Sequence, residues 1–222
     1  MLREIAGPEG PLEALLEEPA ETRGVSTDGL VHMGAPGGVR AAVVFGHPHP
    51  QYGGTMHTKA VYQSAKALAR IGCAVLRFNF RGAGRSAGTF DGDAGEKADF
   101  RAALDFMRER YPDRPLWAAG MSFGSWIGLS VGAEDPRVSL LLGVSMPVSK
   151  YDFSAVAASS KAKIFIHGER DELCPLKEMR EFYARAAEPK ELAVIDAADH
   201  LFDGKESEVG DAIEDLLGDW SE

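Results

Sequence analysis

From residue 41 to the end of the chain, short apolar runs alternate with segments of helical periodicity. The predicted strands cover residues 41–45, 73–80, 116–119, 140–146, 163–167 and 192–196. The predicted helices cover residues 58–70, 95–110, 175–187 and 206–220, with one more after Ser122. This alternation predicts an α/β fold with a mainly parallel central sheet and helices on both faces. Sites in such sheets form where the strands end, so the loops after the strands are the place to look for chemistry.

The first 40 residues are less regular. Residues 12–18 (LEALLEE) have helical propensity, but their position ahead of the parallel core favours an antiparallel edge strand. Residues 20–40 are rich in Gly, Ser and Thr, which predicts a loop. About 16 residues separate the strand ending near Met146 from the next one, too few for a cap domain. We therefore predict one domain, residues 1–222, with no cap.

The net charge and the cysteines limit which binding partners and which cellular compartment we expect. The formal net charge of −10 argues against nucleic acid or an anionic membrane surface as a partner. Cys73 and Cys174 have no CxxC spacing, which favours a reducing compartment. The start, MLREIAGPEG, lacks the pattern of a signal peptide, and no apolar run is long enough to span a bilayer. We expect a cytoplasmic protein with a small-molecule partner, and the sequence leaves a homodimer open.

The segment Gly120-Met121-Ser122-Phe123-Gly124 matches the pattern G-x-S-x-G. It follows a predicted strand and precedes a predicted helix, which is the context of a nucleophile elbow. Such a turn exposes the serine oxygen above the sheet, and larger residues than glycine at its ends would clash with neighbouring backbone. Ser122 is therefore the candidate nucleophile.

A serine needs a base to remove its proton, and in this chain order an acid and then a histidine follow the serine. His167 and His200 both follow Ser122. His200 is favoured, because it lies in the loop before the last helix, whereas His167 ends the apolar run KIFIH and is predicted to be structural. Asp171, in the turn after KIFIH, is the preferred acid that holds the imidazole.

Three other carboxylates compete with Asp171 for the role of the acid. Glu169 and Glu172 lie in the same turn, and Asp199 directly precedes His200. Carboxylates in loops are usually solvated, so each of the three also has a purely structural interpretation.

Acyl transfer also needs two hydrogen-bond donors for the developing oxyanion. The backbone N–H of Phe123, after the nucleophile, is the first candidate. The second is expected in the loop GHPHPQYGG after the first parallel strand. Because Pro48 and Pro50 have no N–H, the candidates are His49, Gln51 and Tyr52.

Five ordered segments, HPHPQYGGTM, RFNFRGAGRSAGTF, GMSFGS, HGERDELCP and DAADHLF, resemble small bacterial α/β-hydrolases close to the dienelactone-hydrolase-like and prolyl-oligopeptidase-related branches. The resemblance extends from about residue 41 to the C-terminus. It implies the α/β-hydrolase fold, carboxylesterase-like activity and no cofactor. It assigns the triad to Ser122, Asp171 and His200 and the oxyanion amides to Phe123 and His49. Dienelactone hydrolases have a cysteine nucleophile where this chain has Ser122, so their substrate does not follow.

The loop FRGAGRS after the second parallel strand contains Arg81, Arg85 and Ser86. These residues could anchor a substrate carboxylate, but bracing of the loop is the preferred interpretation. His47 and His57 flank the oxyanion loop without carboxylates or cysteines at ligand spacing, so structural roles are preferred to metal binding.

Two further residues near the predicted triad are interpreted as packing residues. Cys174 has no elbow around it and is predicted to be a small buried side chain. Trp126, just beyond the nucleophile, is predicted to lie in the core.

Taken together, these features predict a serine esterase that cleaves esters of small or medium acyl chain through an acyl-enzyme. A thioesterase or peptidase with the same triad is the first alternative. A non-catalytic binding protein on the same scaffold is the second.

Overall fold

The computed structural model describes residues 3–19, 38–218 and 220. Its eight strands form one sheet and are, in chain order, β1 Glu4–Gly7, β2 Gly10–Glu17, β3 Ala42–Gly46, β4 Ala74–Phe78, β5 Leu116–Met121, β6 Val138–Val144, β7 Ala162–Gly168 and β8 Lys190–Ile195. The helices are α1 Lys59–Arg70, α2 Ala94–Arg110, α3 Phe123–Glu134, α4 Ser154–Ala158, α5 Leu176–Arg185 and α6 Glu206–Leu217, and a short 3₁₀ turn covers Pro50–Tyr52.

The strand order is β1-β2-β4-β3-β5-β6-β7-β8. Strands β3 to β8 are parallel, and only the β1–β2 and β2–β4 pairs are antiparallel. This confirms the predicted mainly parallel sheet. Parallel order needs a crossover after each strand, which places the carboxyl ends of β3 to β8 along one edge of the sheet.

Helices cover both faces of the sheet, as predicted. Helices α1 and α6 pack against one face, where Trp117 and Phe45 are buried. Helices α2, α3, α4 and α5 supply the other core, which contains Phe78 and Phe100. The inner strands β3 to β7 are almost completely buried, which explains why their sequences are nearly continuous apolar runs.

The N-terminal segment is a strand, but the prediction of an edge strand was incomplete. Strand β2 pairs antiparallel with β4, as expected, and β1 pairs with its other side and forms the edge. The predicted loop 20–40 lies outside the described residues, apart from 38–40. The closing helix ends at Leu217 rather than at Trp220.

The connection between β6 and β7 contains only the five-residue helix α4 and loops, so no cap domain lies there. Within the ranges that the structure describes, no helix has both the length and the apolar character that are needed to cross a bilayer.

Candidate active site

Residues 120–124, which we call the elbow, form a tight turn between β5 and α3. Ser122 has φ 52°, in the left-handed region that non-glycine residues rarely adopt. A Cβ on Gly120 would lie 2.3 Å from the carbonyl oxygen of Gly124. A Cβ on Gly124 would lie 2.4 Å from the carbonyl carbon of Gly46. The backbone segments therefore approach too closely for any residue but glycine at either end of the elbow.

His200 lies in the loop between β8 and α6 and is buried beside Ser122. Its Nε2 is 2.8 Å from the Oγ of Ser122, and its Nδ1 is 2.8 Å from Oδ2 of Asp171. A carboxylate only accepts hydrogen bonds, so Nδ1 carries the proton and Nε2 accepts the hydrogen bond from the serine hydroxyl. The imidazole is thereby held in the tautomer that removes a proton from Ser122.

Asp171 lies in the loop between β7 and α5, and its side chain is buried. Its Oδ1 accepts hydrogen bonds from the backbone N–H groups of Leu173 and Cys174, each at 2.9 Å. Burial raises the pKa of Asp171, but the hydrogen bond from His200, the imidazolium charge and the Cys174 amide outweigh it and lower the pKa. The carboxyl group is therefore ionised and can stabilise a positive charge on His200.

None of the three rival carboxylates is hydrogen-bonded to the imidazole of His200, and two of them accept hydrogen bonds from backbone amides instead. Glu169 accepts a hydrogen bond from the N–H of Ala197, and Asp199 accepts from those of Leu201 and Asp203. Glu172 is exposed to solvent. Of the four acids considered from the sequence, the structure brings only Asp171 to His200.

His167 is buried at the end of β7 and does not reach Ser122. Its Nε2 lies 2.8 Å from the carbonyl oxygen of Cys174, to which it donates, and 3.7 Å from Oδ2 of Asp171. Burial lowers the pKa of His167, so its ring is neutral. It braces the turn that contains Asp171, which is the structural role that the sequence predicted.

Of the two predicted oxyanion amides, that of Phe123 belongs to the elbow and that of His49 belongs to the β3–α1 loop. The elbow and the start of this loop approach each other closely at Gly124 and Gly46. Phe123 is the first residue of α3, and its ring centroid is 4.9 Å from that of His49. The competing amides are occupied, since Gln51 N–H donates to Nδ1 of His49 and Tyr52 N–H donates to the His49 carbonyl. Among the described residues, the His49 and Phe123 amides have no acceptor.

The arginine-containing loop after β4 is braced by ion pairs, in agreement with the preferred interpretation. Arg81 contacts Asp99 at 2.7 Å and Glu9 at 2.6 Å. Arg85 contacts Glu13 at 3.2 Å, and the Ser86 hydroxyl donates to the Asn79 carbonyl at 2.6 Å. These contacts hold the loop beside the site rather than presenting charge to a ligand.

His47 is buried below the oxyanion loop. Its Nδ1 lies 2.6 Å from the Pro48 carbonyl oxygen, and its Nε2 accepts a hydrogen bond from Phe80 N–H at 3.1 Å. His57 is exposed. Over the described part of the chain, no three His, Cys, Asp or Glu side chains are grouped to hold a metal ion.

The two residues predicted as packing residues differ in outcome. Cys174 is buried, and burial raises the pKa of its thiol to about 11, so it is an uncharged packing residue as predicted. Trp126 was predicted in the core, and this is confirmed in part. It packs against the core but is only half-buried, and its ring stacks on Tyr151.

Several residues that line the site were not predicted. Phe90 follows β4 and Tyr151 follows β6, and both contact Phe123. Leu173 and Leu201 are exposed beside Asp171 and His200. The available signal was position, because each of these side chains lies in a loop after a strand carboxyl end.

The α/β-hydrolase class is defined by a mainly parallel sheet with a serine at a strand-to-helix elbow, followed along the chain by an aspartate and then a histidine that is hydrogen-bonded to both. Comparisons with known proteins agree. Residues 37–159 match the family model described as serine aminopeptidase, S33. A curated relative, an uncharacterized protein of Rickettsia prowazekii, is 36% identical over 180 residues, which are 77% of this chain and 76% of the relative.

Two solved structures show how far the similarity extends. An α/β serine hydrolase homologue from Coxiella burnetii is 31% identical, with a TM-score of 0.83, and the match covers 96% of this chain and 95% of that one. An α/β serine hydrolase without a lid from Xanthomonas campestris is 29% identical, also with a TM-score of 0.83, over 96% of this chain and 90% of that one. The chain therefore belongs to the serine aminopeptidase S33 family of α/β serine hydrolases.

Proposed function

We propose that the protein is a serine carboxylesterase that cleaves esters of small or medium acyl chain through a covalent acyl-enzyme, close to the dienelactone-hydrolase-like branch of its fold. The observation that carries this proposal is the continuous pair of hydrogen bonds, each 2.8 Å long, from Asp171 through His200 to Ser122. Ser122 also lies on an elbow that exposes its oxygen, as nucleophilic catalysis requires.

In the first half of the reaction, the Oγ of Ser122 attacks the ester carbonyl while His200 takes the hydroxyl proton. The carbonyl oxygen becomes an oxyanion that accepts hydrogen bonds from the Phe123 and His49 amides. His200, now positively charged, is stabilised by Asp171. It passes its proton to the leaving alcohol oxygen as the carbon–oxygen bond breaks, which leaves the acyl group on Ser122.

In the second half, a water molecule replaces the alcohol. His200 takes a proton from this water as it attacks the acyl carbonyl, and the same two amides stabilise the second oxyanion. The bond to Ser122 then breaks, and the serine oxygen recovers its proton from His200. The products are one alcohol and one carboxylic acid, and the triad returns to its starting state.

The test is ester hydrolysis by Ser122→Ala, with Ser130→Ala on the same helix as the matched control. With p-nitrophenyl acetate, we expect Ser122→Ala to lose several orders of magnitude in kcat while its circular dichroism is unchanged. Ser130→Ala should stay close to wild type. Wild-type-like turnover by Ser122→Ala would refute the nucleophile, and no turnover by the wild type would support the binding-protein alternative.

A peptidase is a second candidate, because the matching family model is described as a serine aminopeptidase. An aminopeptidase must hold the charged ammonium group of its substrate. Yet three carboxylates around the site, Glu96 in the first turn of α2 and Glu169 and Asp199 in loops, are already hydrogen-bonded to backbone amides. Matched alanine derivatives, a methyl ester, a thioester and an anilide, separate the three reactions. Fastest cleavage of the anilide would replace the esterase by a peptidase.

The remaining expectations concern the cellular location, the oligomeric state and the domain organisation of the protein. A cytoplasmic location agrees with both cysteines being buried free thiols. This location, the homodimer and the single-domain organisation of residues 1–222 stay predictions from the sequence.

A further inference from the structure

Six rings form a continuous group beside Ser122, which we call the aromatic surface. They come from four separate segments: the β3–α1 loop, the β4–α2 loop, α3 and the β6–α4 loop. The rings belong to His49, Tyr52, Phe90, Phe123, Trp126 and Tyr151.

His49 and Phe123 join the parts of the aromatic surface. The His49 ring centroid is 4.7 Å from that of Tyr52, 4.8 Å from that of Phe90 and 4.9 Å from that of Phe123. Phe123 is almost completely buried, whereas the other rings are partly or largely exposed. The backbone amides of these same two residues are the proposed oxyanion donors, so the exposed rings begin at the reacting carbonyl.

Trp126 and Tyr151 form a stacked pair at one end of the surface. Their ring centroids are 4.3 Å apart and their planes differ by 11°. Phe123 meets both rings edge-on, at 5.9 Å and 6.1 Å. The ammonium of Lys97 lies over the Trp126 ring, 4.9 Å from its centroid. Trp126 is therefore held by contacts with Phe123, Tyr151 and Lys97, and both Trp126 and Tyr151 remain partly exposed.

Tyr52 lies at the other end of the aromatic surface, in the β3–α1 loop. It is 87% exposed, at the end of the 3₁₀ turn that follows His49. Its ring contacts that of His49, so the aromatic surface extends from Trp126 and Tyr151 through Phe123 and His49 to Tyr52.

The other side of Ser122 is aliphatic. Leu173 and Leu201 are 42% and 53% exposed and lie within two residues of Asp171 and His200. Because His200 must donate a proton to the departing alcohol, the alcohol lies on this side of the carbonyl. The acyl part then extends away from His200, toward the aromatic surface.

We infer that the aromatic surface is an acyl subsite for carboxylic acids that carry a planar aromatic ring, esterified to small aliphatic alcohols. This inference rests on the proposed esterase activity and names its substrate class. Flat rings stack on, or meet edge-on, other rings at centroid separations of about 4.5–7 Å, which a puckered ring of the same size does less well. The rings of the aromatic surface that remain partly exposed, His49, Tyr52, Phe90, Trp126 and Tyr151, are available for such contacts.

The test compares methyl phenylacetate with methyl cyclohexylacetate, with acid release followed by a pH indicator. The two esters share their alcohol, their carbon skeleton and a methylene next to the carbonyl. They differ in ring planarity, and their methyl leaving group has no ring that could stack on the aromatic surface. We expect kcat/KM to be about tenfold higher for the phenyl ester in the wild type.

The variants Tyr151→Leu and Trp126→Leu should bring this ratio close to one. Tyr62→Leu is the control, because Tyr62 is a half-exposed ring on α1 that lies over Arg77 and Lys66. It should keep the wild-type ratio. The ratio is measured within each protein, so a loss of folded enzyme does not alter it.

Two results would overturn the inference while leaving the esterase intact. One is a wild-type ratio of one or less with both esters hydrolysed. The other is a tenfold ratio that survives in both leucine variants. If neither ester nor p-nitrophenyl acetate is hydrolysed, the proposed esterase itself fails, and the substrate class fails with it.

Discussion

The elbow and the aromatic surface lie side by side, but different forces hold their residues in place. In the elbow, Gly120 and Gly124 contact backbone at distances that no Cβ tolerates, and Ser122 has a left-handed φ. In the aromatic surface, side chains from four segments contact one another, and Tyr52 is 87% exposed. The elbow is determined by backbone sterics, whereas the aromatic surface is determined by side-chain packing.

Because of this difference, we expect the elbow to control the rate of the reaction and the aromatic surface to control which substrate binds. Backbone contacts tolerate little variation, so the elbow and the loops that contact it set where the reacting atoms lie. The partly exposed side chains of the aromatic surface, most of them on loops, can be exchanged at smaller cost in stability, so we expect this surface to set which acid binds. Changes in the first region should therefore affect turnover or folding strongly, and changes in the second should alter only substrate preference.

The largest effect is expected for Asp171→Asn. An amide at this position would hold His200 in the tautomer that cannot accept the serine proton, so kcat should fall by about 10⁴-fold. Steady-state hydrolysis of p-nitrophenyl acetate measures this. Glu172→Gln, at the exposed neighbouring position, is the control and should remain within about twofold. Equal losses in the two variants would reopen the choice of the acid.

The next largest effect is expected for Gly124→Ala. Its Cβ would lie 2.4 Å from the Gly46 carbonyl group, so the backbone must move and the His49 loop with it. We expect a loss of about 3 kcal/mol in the free energy of unfolding and about a hundredfold in kcat. Urea titration and initial rates give both values.

Gly38→Ala is the control for this substitution, because nothing lies within 4 Å of a Cβ at that position. It should change neither quantity. If Gly124→Ala behaved like Gly38→Ala, the elbow would not depend on the close backbone approach, and the contrast with the aromatic surface would be lost.

A third prediction concerns acid stability. Burial lowers the pKa of His47 to about 4, from 6.5, so the folded ring stays neutral while the unfolded ring is protonated. The unfolded state then binds more protons, and stability falls as the pH drops from about 6.5 to 4. The expected loss is about 3 kcal/mol. Urea titrations at several pH values measure it.

Two variants isolate this contribution. His47→Gln should flatten the pH dependence, and the remaining slope comes partly from His167, whose pKa burial also lowers. His57→Gln, at an exposed position, should leave the slope unchanged. An unchanged slope in His47→Gln would show that this ring does not support the oxyanion loop as a buried neutral group.

The smallest effect is expected for Leu201→Ala, on the aliphatic side of the site. Because Leu201 is 53% exposed, the free energy of unfolding should change by less than about 0.5 kcal/mol. For a hexyl ester, kcat/KM should fall two- to fivefold through lost apolar contact, and for the methyl ester it should not change. A large loss with the methyl ester would place Leu201 with the residues that set turnover.

Much of the fold follows from the sequence, because buried parallel strands are nearly continuous apolar runs and glycines mark the elbow. The alternation from residue 41 onward was enough to predict all six parallel strands and the long helices. Strand β1 (EIAG) was missed because four residues with mixed polarity carry no periodic signal. Helix α4 was missed because five residues are barely longer than one helical turn.

The residues of the site also differ in whether the sequence predicts them. Ser122, Asp171 and His200 could be chosen because each follows a particular strand in a particular order, and the structure brings their side chains together. For Tyr151 and Phe90 the sequence gives only their position in loops after strand ends, because their contacts with Phe123 depend on how separate loops fold over the sheet edge. The same reason explains why the stacking of Trp126 was not predicted, since its partner Tyr151 lies 25 positions further along the chain.

Covalent labelling by a fluorophosphonate tests the central claim most directly, because only an activated serine reacts quickly with such a reagent. Peptide mass spectrometry of the labelled wild type should find a single adduct on the peptide containing Ser122. Ser122→Ala should not be labelled under the same conditions. An adduct on another residue, or equal labelling of Ser122→Ala, would contradict the claim that Asp171 and His200 activate this serine.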